Sequence, residues 1–487
     1  MIPSDTGRDT AQQAYTHARI DHWNQVAADA LRHPRVSQNY RRRLQEVCRF
    51  LIPSGKRVLE LGCGKGELLA ALAPQQGIGV DFSPAMLAQA RQQQPNCVFI
   101  ERDIHQLSSA ALPPELREPP DFILLSDVVN DLWDVQAALK SIRSLCSAET
   151  RIIFNFHSHL WETPAQWAQQ LGLMTPRLEQ NWLTPDDLAN LLHLAGFELV
   201  RRFDDFLWPW RTPLIESLCN RWLAKLLPFR WLTLTHFMIC RLEPKRQPDC
   251  MVSVIIPARN EAGNIEAAVQ RVPELGAGTE LIFVEGNSTD TTWAAIQQAV
   301  SQHPERRIRA MQQSGKGKGD AVRLGFSQAR GEVLMILDAD LTVPPESLPQ
   351  FYEALISGKA EFVNGVRLVY PQEKEAMRFF NLLGNKFFSW AFSWLLDRSI
   401  KDSLCGTKVL RRRHYQELAA NRSYFGDFDP FGDFDLLFGA AKLNLRIVDL
   451  PVRYRERTYG DTNIQRWRHG AILLRMVLFA ASRLKFI

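Results

Sequence analysis

Short apolar runs alternating with amphipathic stretches, in two separate series, leave this chain few folds to adopt. From Arg57 the runs RVLEL, GIGVD, CVFIE, DFILLS and RIIFNF are spaced by helical stretches such as PAMLAQARQQQ and DVQAALKSIRSL. After residue 250 the alternation restarts with MVSVIIP, ELIFVE, RIRAM and EVLMILD. Apolar strands separated by helices make a parallel sheet covered on both faces. Between the two series, RLEPKRQPDC at 241–250 carries two prolines, several charges and no apolar period, as a linker does. The expected organisation is a helical lead-in over 1–45, an α/β domain over 46–242, a linker over 243–250, a second α/β domain over 251–463 and a basic amphipathic helix over 464–487. FELVRRFD (197–204) and HFMICRL (236–242) are expected to add edge strands to the first sheet.

Composition narrows the function classes. The formal charge of +5 is concentrated: residues 446–487 hold nine Arg or Lys against three acids, and the rest of the chain is close to neutral. That is no signature of a general nucleic-acid binder, and none is expected as a partner. The eight cysteines are scattered without a C-x-x-C pair, which reads as free thiols in a reducing compartment. MIPSDTGRDTAQQAY lacks the basic start and apolar run of a signal peptide, and no apolar run reaches spanning length. A cytoplasmic protein is expected, with peripheral attachment to the inner face of the cytoplasmic membrane as a further option.

In the first series, VLELGCGKGELLAAL at 58–72 sets Glu60, Gly62, Gly64 and Gly66 between a strand and a helix. Glycines there allow a tight turn and close approach of a ligand to the main chain, and the helix start presents unpaired N–H groups. Asp81 ends the next strand ~20 residues on, where a carboxylate can accept ribose hydroxyls. Asp103 follows the third strand and Ser126 ends the fourth. These residues resemble the class I S-adenosylmethionine-dependent methyltransferases over about 50–205. The resemblance implies a Rossmann-like sheet that binds S-adenosyl-L-methionine through Glu60, Gly62, Gly64, Gly66, Asp81, Asp103 and Ser126. A nicotinamide dehydrogenase is the rival reading of the turn. The Glu before the glycines and the third acid favour the methyl donor. His157 and His159, after the fifth strand, read either as a base or as strand-end polar groups, and Cys63 reads as a small filler.

In the second series, VSVIIPARNEAGNI stops a strand at Pro257 and hands over to a helix near Glu261. LIFVEGNSTDTT ends another strand with Glu285. SGKGKGDAVRLGF interleaves Lys316 and Lys318 with Gly315, Gly317 and Gly319 ahead of a helix, a loop suited to phosphates. EVLMILDADLTVPP puts Asp338 and Asp340 just past a strand, where two carboxylates can face one hard cation. The ordered set resembles glycosyltransferase family 2, with the GT-A fold, from about 251 to 465. The resemblance implies that Pro257, Arg259, Glu261, Glu285, Lys316, Lys318 and Asp338 bind a nucleotide-sugar, and that Asp338 and Asp340 hold Mg2+ or Mn2+. SLCGTKVLRR (403–412) is similar to the C-G-x-K stretch of dolichyl- and polyprenyl-phosphate glycosyltransferases. Two departures stand out. Glu285-Gly286-Asn287 replaces the family's Asp-Asp-Gly, which puts the nucleotide in doubt, and Leu437 replaces the Glu of F-D-V-E, leaving Asp433 or Asp435 as the catalytic base.

Two further segments bear on the acceptor. FFNLLGNKFFSWAFSWLL at 379–396 places Asn381, Asn385, Ser389 and Ser393 on one helical stripe opposite a wide aromatic face, suited either to a bilayer or isoprenoid chain or to the core. In VRYRERTYGDTN, Arg453, Arg455 and Arg457 alternate and would share one face of an extended segment, suited to diphosphate or an acceptor phosphate. The basic helix after them suits anionic lipid or docking on a domain. The combined expectation is a bifunctional transferase of cell-envelope glycan or glycolipid synthesis, acting on a lipid-phosphate or glycan acceptor. The alternatives are a glycosyltransferase making a small methylated glycoside, or one regulated by a module that binds S-adenosylmethionine.

Overall fold

The structure, a computed structural model, describes residues 5–28, 35–114, 117–172, 178–367, 369, 379–402, 404–421, 433–455, 457, 459 and 466–486. The chain divides into two compact units after Glu243.

In the first unit, seven strands form one sheet: β1 (Arg57–Leu61), β2 (Gln76–Asp81), β3 (Cys97–Glu101), β4 (Phe122–Ser126), β5 (Arg151–His157), β6 (Phe197–Asp205) and β7 (Thr235–Leu242), in the order β3-β2-β1-β4-β5-β7-β6. The first five run parallel, and β7 lies antiparallel to both β5 and β6. Alternate side chains feed two cores. Ile123 and Leu125 of β4 join one cluster and Phe122 and Leu124 the other, because successive residues of a strand point to opposite faces. Around the sheet lie α1 (Asp5–Ala28), α2 (Arg35–Leu51), α3 (Glu67–Ala71), α4 (Pro84–Gln93), α5 (Val135–Arg143), α6 (Glu162–Gln170) and α7 (Pro185–Leu194). Their starts are written locally: Ser83 Oγ accepts from Met86 N with Pro84 next to it, Asp134 accepts from Ala137 N, and Thr184 and Asp187 form a reciprocal cap. Of the two expected edge strands only β6 is an edge. β7 lies inside the sheet, as its unbroken FMIC run requires of a strand buried on both faces.

The second unit holds β8 (Val252–Ala258), β9 (Thr279–Glu285), β10 (Arg307–Gln312), β11 (Val333–Ile336), β12 (Phe362–Val366), β13 (Lys408–Arg411) and β14 (Ile447–Pro451), in the order β10-β9-β8-β11-β13-β12-β14. β8 pairs in parallel with β9 and β11, and β13 runs antiparallel to β11 and β12. Among the parallel strands of each sheet the order reverses once, between β1 and β4 and between β8 and β11. Ligands of open α/β sheets bind at the carboxyl ends of strands beside such a reversal, which is where the motif residues lie.

The helix Phe379–Leu396 turns polar side chains toward its own unit. Asn385 and Ser389 are buried, and the hydroxyls of Ser389 and Ser393 donate to the carbonyls of Lys401 and Ile400 (2.7 and 3.1 Å). Asn385, Ser389 and Ser393 therefore face inward, with Phe388 and Phe392 buried and Phe387 and Trp390 50% and 67% exposed, while the side chain of Asn381 lies outside the described residues. Among the described residues, no helix is long and apolar enough to cross a membrane.

Candidate active sites

The first unit has a cavity of about 410 Å³ at the carboxyl ends of its parallel strands. Glu60, Gly62, Gly64, Asp81, Asp103 and Ser126 all line it, and Gly66 sits behind the turn as the cap of α3. The three glycines have φ of 72°, 51° and 70°, a left-handed backbone that a side chain strains, and a Cβ on Gly62 would fall 2.3 Å from Val128. Asp81 braces this turn from β2: Oδ2 accepts from Gly64 N (2.8 Å) and Oδ1 from Ser83 N (2.9 Å), while burial raises its carboxyl above the usual range. Glu60 is 3% exposed and accepts from Leu69 N at 3.0 Å. Burial pushes its pKa up to about 8, which favours the neutral acid, and the side chain ties β1 to α3. For Asp103 burial works in the same direction, but hydrogen bonds from His105 outweigh it and keep the carboxylate below its usual range. Cys63 is held well above the ordinary thiol range by burial, in keeping with a filler.

Sequence reasoning missed the cavity's other walls. Tyr15, Arg19 and Trp23 of α1 and Tyr40 of α2 line it, so the expected lead-in is part of the pocket. α1 is fastened there: Ser83 Oγ donates to Asn24 Oδ1 (2.7 Å), Gln89 Nε2 to the Ala27 carbonyl (2.7 Å) and Tyr15 OH to the Asp131 carbonyl (3.3 Å). The four-residue spacing of Tyr15, Arg19 and Trp23 is the signal that was available, since it puts all three on one helical face. Asp127, with φ +56°, turns its carboxylate toward β5, where His157 Nδ1 lies 3.1 Å from Oδ1. His159 is different, 58% exposed beside Glu162.

The second unit gathers its acids at the ends of β8, β9 and β11. Glu261 is buried and accepts from Asn264 Nδ2 (2.7 Å) and from Arg457 (2.9 Å). Arg457 also donates to Asp340 Oδ2 at 2.7 Å, while Asp340 Oδ1 accepts from the amide and hydroxyl of Thr342. Lys318, in the first turn of the helix Gly317–Gln328, pairs with Asp338 at 2.5 Å. Burial raises the Glu261 carboxyl above its usual range against the pull of Arg457, and Asp340 and Asp338 add to the rise. Glu285 accepts from Ser288 N (2.5 Å) and Gln312 Nε2 (3.2 Å), bonds that outweigh burial and lower its pKa. Pro257 is half-buried at the end of β8, Arg259 beyond it is exposed, and Lys316 caps the helix Gly317–Gln328.

Of the three alternating arginines, Arg453 and Arg455 are exposed, and Arg457 turns onto the acids. Asp435 accepts from Arg323 at 3.4 Å, and the side chain of Asp433 lies outside the described residues. Within the C-G-x-K stretch, Lys408 is buried and donates to Asn364 Oδ1 (2.7 Å) and the Cys405 carbonyl (2.5 Å), a bracing role. Gly406 has the functional contact. A Cβ there would lie 2.2 Å from both Asp338 Oδ2 and Lys318 Nζ, so glycine lets the chain press on that pair. The residues fit a divalent cation. Two carboxylates supply hard oxygen donors, and each already holds a cationic nitrogen, as a site built for positive charge does.

Comparison with known proteins agrees with this division. The model for the family described as "Methyltransferase domain" matches residues 32–202, and that for "Glycosyl transferase family 2" matches 253–418. Dolichol-phosphate mannosyltransferase of Pyrococcus furiosus is 34% identical over 219 residues, 44% of this chain and 59% of the relative. Undecaprenyl-phosphate 4-deoxy-4-formamido-L-arabinose transferase of Photorhabdus laumondii is 26% identical over 215 residues, 43% of this chain and 62% of the relative. The chain thus spans about three-fifths of the length of each. A solved structure of glucosyl-3-phosphoglycerate synthase from Mycobacterium tuberculosis, in complex with Mn2+, uridine diphosphate and glucosyl-3-phosphoglycerate, is a remote likeness at 18% identity and TM-score 0.35. It covers 49% of this chain and 80% of that one. The chain therefore carries a methyltransferase domain followed by a family 2 glycosyltransferase domain.

Proposed function

We propose that the chain is a bifunctional transferase of cell-envelope glycan or glycolipid synthesis. Its first unit moves a methyl group from S-adenosylmethionine, and its second moves a sugar from a nucleotide-sugar to a polyprenyl-phosphate-like acceptor with inversion. The observation that carries the second activity is the convergence of Glu261, Asp338 and Asp340 with Lys318 and Arg457 at the reversal between β8 and β11. Acids and bases in one cleft suit a metal diphosphate, which presents positive and negative charge together.

Asp338 and Asp340 would hold Mg2+ or Mn2+, which supplies Lewis-acid neutralisation of the departing diphosphate. Lys318 and Arg457 move from carboxylate to phosphate oxygens as the donor enters, so no charge is left bare in either state. Lys316 and the start of the helix Gly317–Gln328 offer further N–H donors to phosphate. Glu261 and Glu285 face the nucleoside. A lipid phosphate is already ionised at neutral pH, so its oxygen attacks without a base. The engagement of Asp435 by Arg323 fits that acceptor, because no open carboxylate is required. The relatives named for dolichol and undecaprenyl phosphates support the same class.

Attachment to an anionic membrane surface draws support from the exposed Phe387, Trp390, Leu474 and Leu478 on the helices Phe379–Leu396 and Arg466–Ala480, with Arg475 and Arg483 exposed beside the last two. In the first unit, the glycine turn, Asp81 and Asp103 around one cavity support the methyl donor.

The test is a panel of uridine and guanosine diphosphate sugars with undecaprenyl phosphate, with and without Mn2+, on the full chain and Asp340→Ala. Metal-dependent transfer that the substitution abolishes is the expected result. Undiminished turnover in Asp340→Ala would refute the metal assignment. Flotation with anionic vesicles, compared between the wild type and Trp390→Ser, tests the surface.

A further inference from the structure

The cavity of the first unit has two chemically different ends. Over β3, β2 and β1 it presents acids and main-chain N–H groups, the end that suits S-adenosylmethionine. Over β4, β5 and β7 its walls include the apolar and aromatic Trp161, Phe206, Trp210 and Leu234, and His157 and Asp127 bring polar groups among them, with Ser126 and Tyr40 beside.

We infer that His157 is the base of the methyl transfer, positioned by Asp127, and that the acceptor is a hydroxyl group carried on an apolar or aromatic body. This rests on reading the first unit as a methyltransferase that binds S-adenosylmethionine. Asp127 Oδ1 lies 3.1 Å from His157 Nδ1 and accepts from Tyr40 OH (2.9 Å) and Asn155 Nδ2 (3.0 Å). That carboxylate stands at ion-pair distance from the ring, as the counter-charge of an imidazolium would. The Tyr40 ring stands edge-on to the imidazole at 5.4 Å and to Phe206 at 5.2 Å, which fixes the orientation of His157. The ring is buried from bulk water yet lines the cavity.

His105 is the other histidine lining the cavity, and both of its nitrogens are engaged: Nδ1 meets Asp103 at 2.7 Å and Nε2 accepts from Asp134 N at 3.2 Å. In the step, the acceptor oxygen forms a bond to the sulfonium methyl carbon. The carbon–sulfur pair goes to sulfur as a neutral thioether, and the hydroxyl proton goes to the imidazole of His157. Positive charge thus passes from sulfur to an imidazolium whose counter-charge, Asp127, is already in place. An ammonium acceptor would bring its own charge into an apolar wall, which disfavours it.

The full chain is tested in two measurements: calorimetric binding of S-adenosylmethionine, and release of S-adenosylhomocysteine with catechol as hydroxyl probe or benzylamine as amine probe. The expected result is methylation of catechol in preference to benzylamine. His157→Ala and His157→Gln should lower that rate by about a hundredfold or more, with binding of S-adenosylmethionine within roughly twofold of the wild type. Added imidazole should partly restore His157→Ala, and Asp127→Asn should show a smaller loss. Rates unchanged in both His157 variants overturn the inference. So does loss of S-adenosylmethionine binding in both, which makes the ring a packing element, and so does a wild type that binds S-adenosylmethionine but leaves catechol unmethylated. Failure of the wild type to bind S-adenosylmethionine is a different result, which removes the methyltransferase reading itself.

Discussion

Arg457 and Asp340 are joined by a hydrogen-bonded ion pair of 2.7 Å, and the same guanidinium reaches Glu261 at 2.9 Å. Two residues near it are anchored: Arg455 N donates to the Thr342 carbonyl (2.9 Å), and the Tyr459 ring packs where a Cβ on Gly263 would be, 2.6 Å from it. Arg457 thus covers the carboxylate proposed to hold the metal, and on that proposal an entering diphosphate would draw it away.

Removing that guanidinium should therefore have opposite effects on two ligands. Arg457→Ala is expected to tighten binding of Mn2+ alone by roughly tenfold, the size of one charge-assisted hydrogen bond, and to weaken binding of uridine diphosphate with Mn2+. Electron paramagnetic resonance titration of free Mn2+ reads both. Equal changes in the same direction would show that Arg457 does not exchange between acid and phosphate.

Gly406→Ala is expected to lower glycosyl transfer by about a hundredfold, because the new methyl must displace the Lys318–Asp338 pair by a sizeable fraction of an ångström. The strand pairing of β13 is untouched, so the urea midpoint should move little. A variant with full activity would mean that the pair is not needed in its present position.

Asp205, 1% exposed at the end of β6, is bound by Arg43 of α2 (3.0 and 3.1 Å) and Lys225 (2.5 Å). Burial opposes its charge, but the two cations outweigh it and hold the carboxylate far below its usual range. That contribution to stability is present above the unfolded carboxylate pKa of ~3.9 and is lost only in strong acid. Asp205→Asn removes the carboxylate that two buried cations share, Arg43 keeping its bond to Glu46 (3.1 Å), and should cost ~3–5 kcal/mol in urea unfolding at neutral pH. A loss under ~1 kcal/mol would show that Arg43 and Lys225 find other partners.

Glu60 works in the opposite sense. Its pKa is about 8 in the folded chain, against ~4.3 unfolded, so the folded state binds more protons between those values. Stability should fall as pH rises across that window, by up to ~1.4 kcal/mol per unit, and level off above it. Glu60→Gln should flatten this part of the profile, as urea midpoints measured from about pH 5 to 8 would reveal. An identical slope in both proteins would place the proton elsewhere.

Much of both candidate sites was legible because its signals are local. Glu60 to Gly66, Asp81 and Asp103 each sit at the end of an apolar run, and so do Glu285, Asp338 and Asp340. Strand ends beside a reversal in strand order collect such residues in one cleft without further information. The polar stripe of Asn385, Ser389 and Ser393 was legible as a stripe, but which way it faced was not. Its hydroxyls turn inward because carbonyls of Ile400 and Lys401 need partners there.

What the sequence by itself determined is the pair of α/β units, the positions of their early strands along the chain and the placing of the candidate site acids at strand ends, since periodicity and turn chemistry act over a few residues. Tertiary structure alone decided which distant groups meet. Tyr40 reaches Asp127 across 87 positions, and Arg457 reaches Asp340 across 117. It also decided that β7 lies inside its sheet and that α1 walls the cavity. Those contacts depend on how sheets order their strands and helices dock on them. That choice is made by the burial of whole faces, which no short spacing along the chain records.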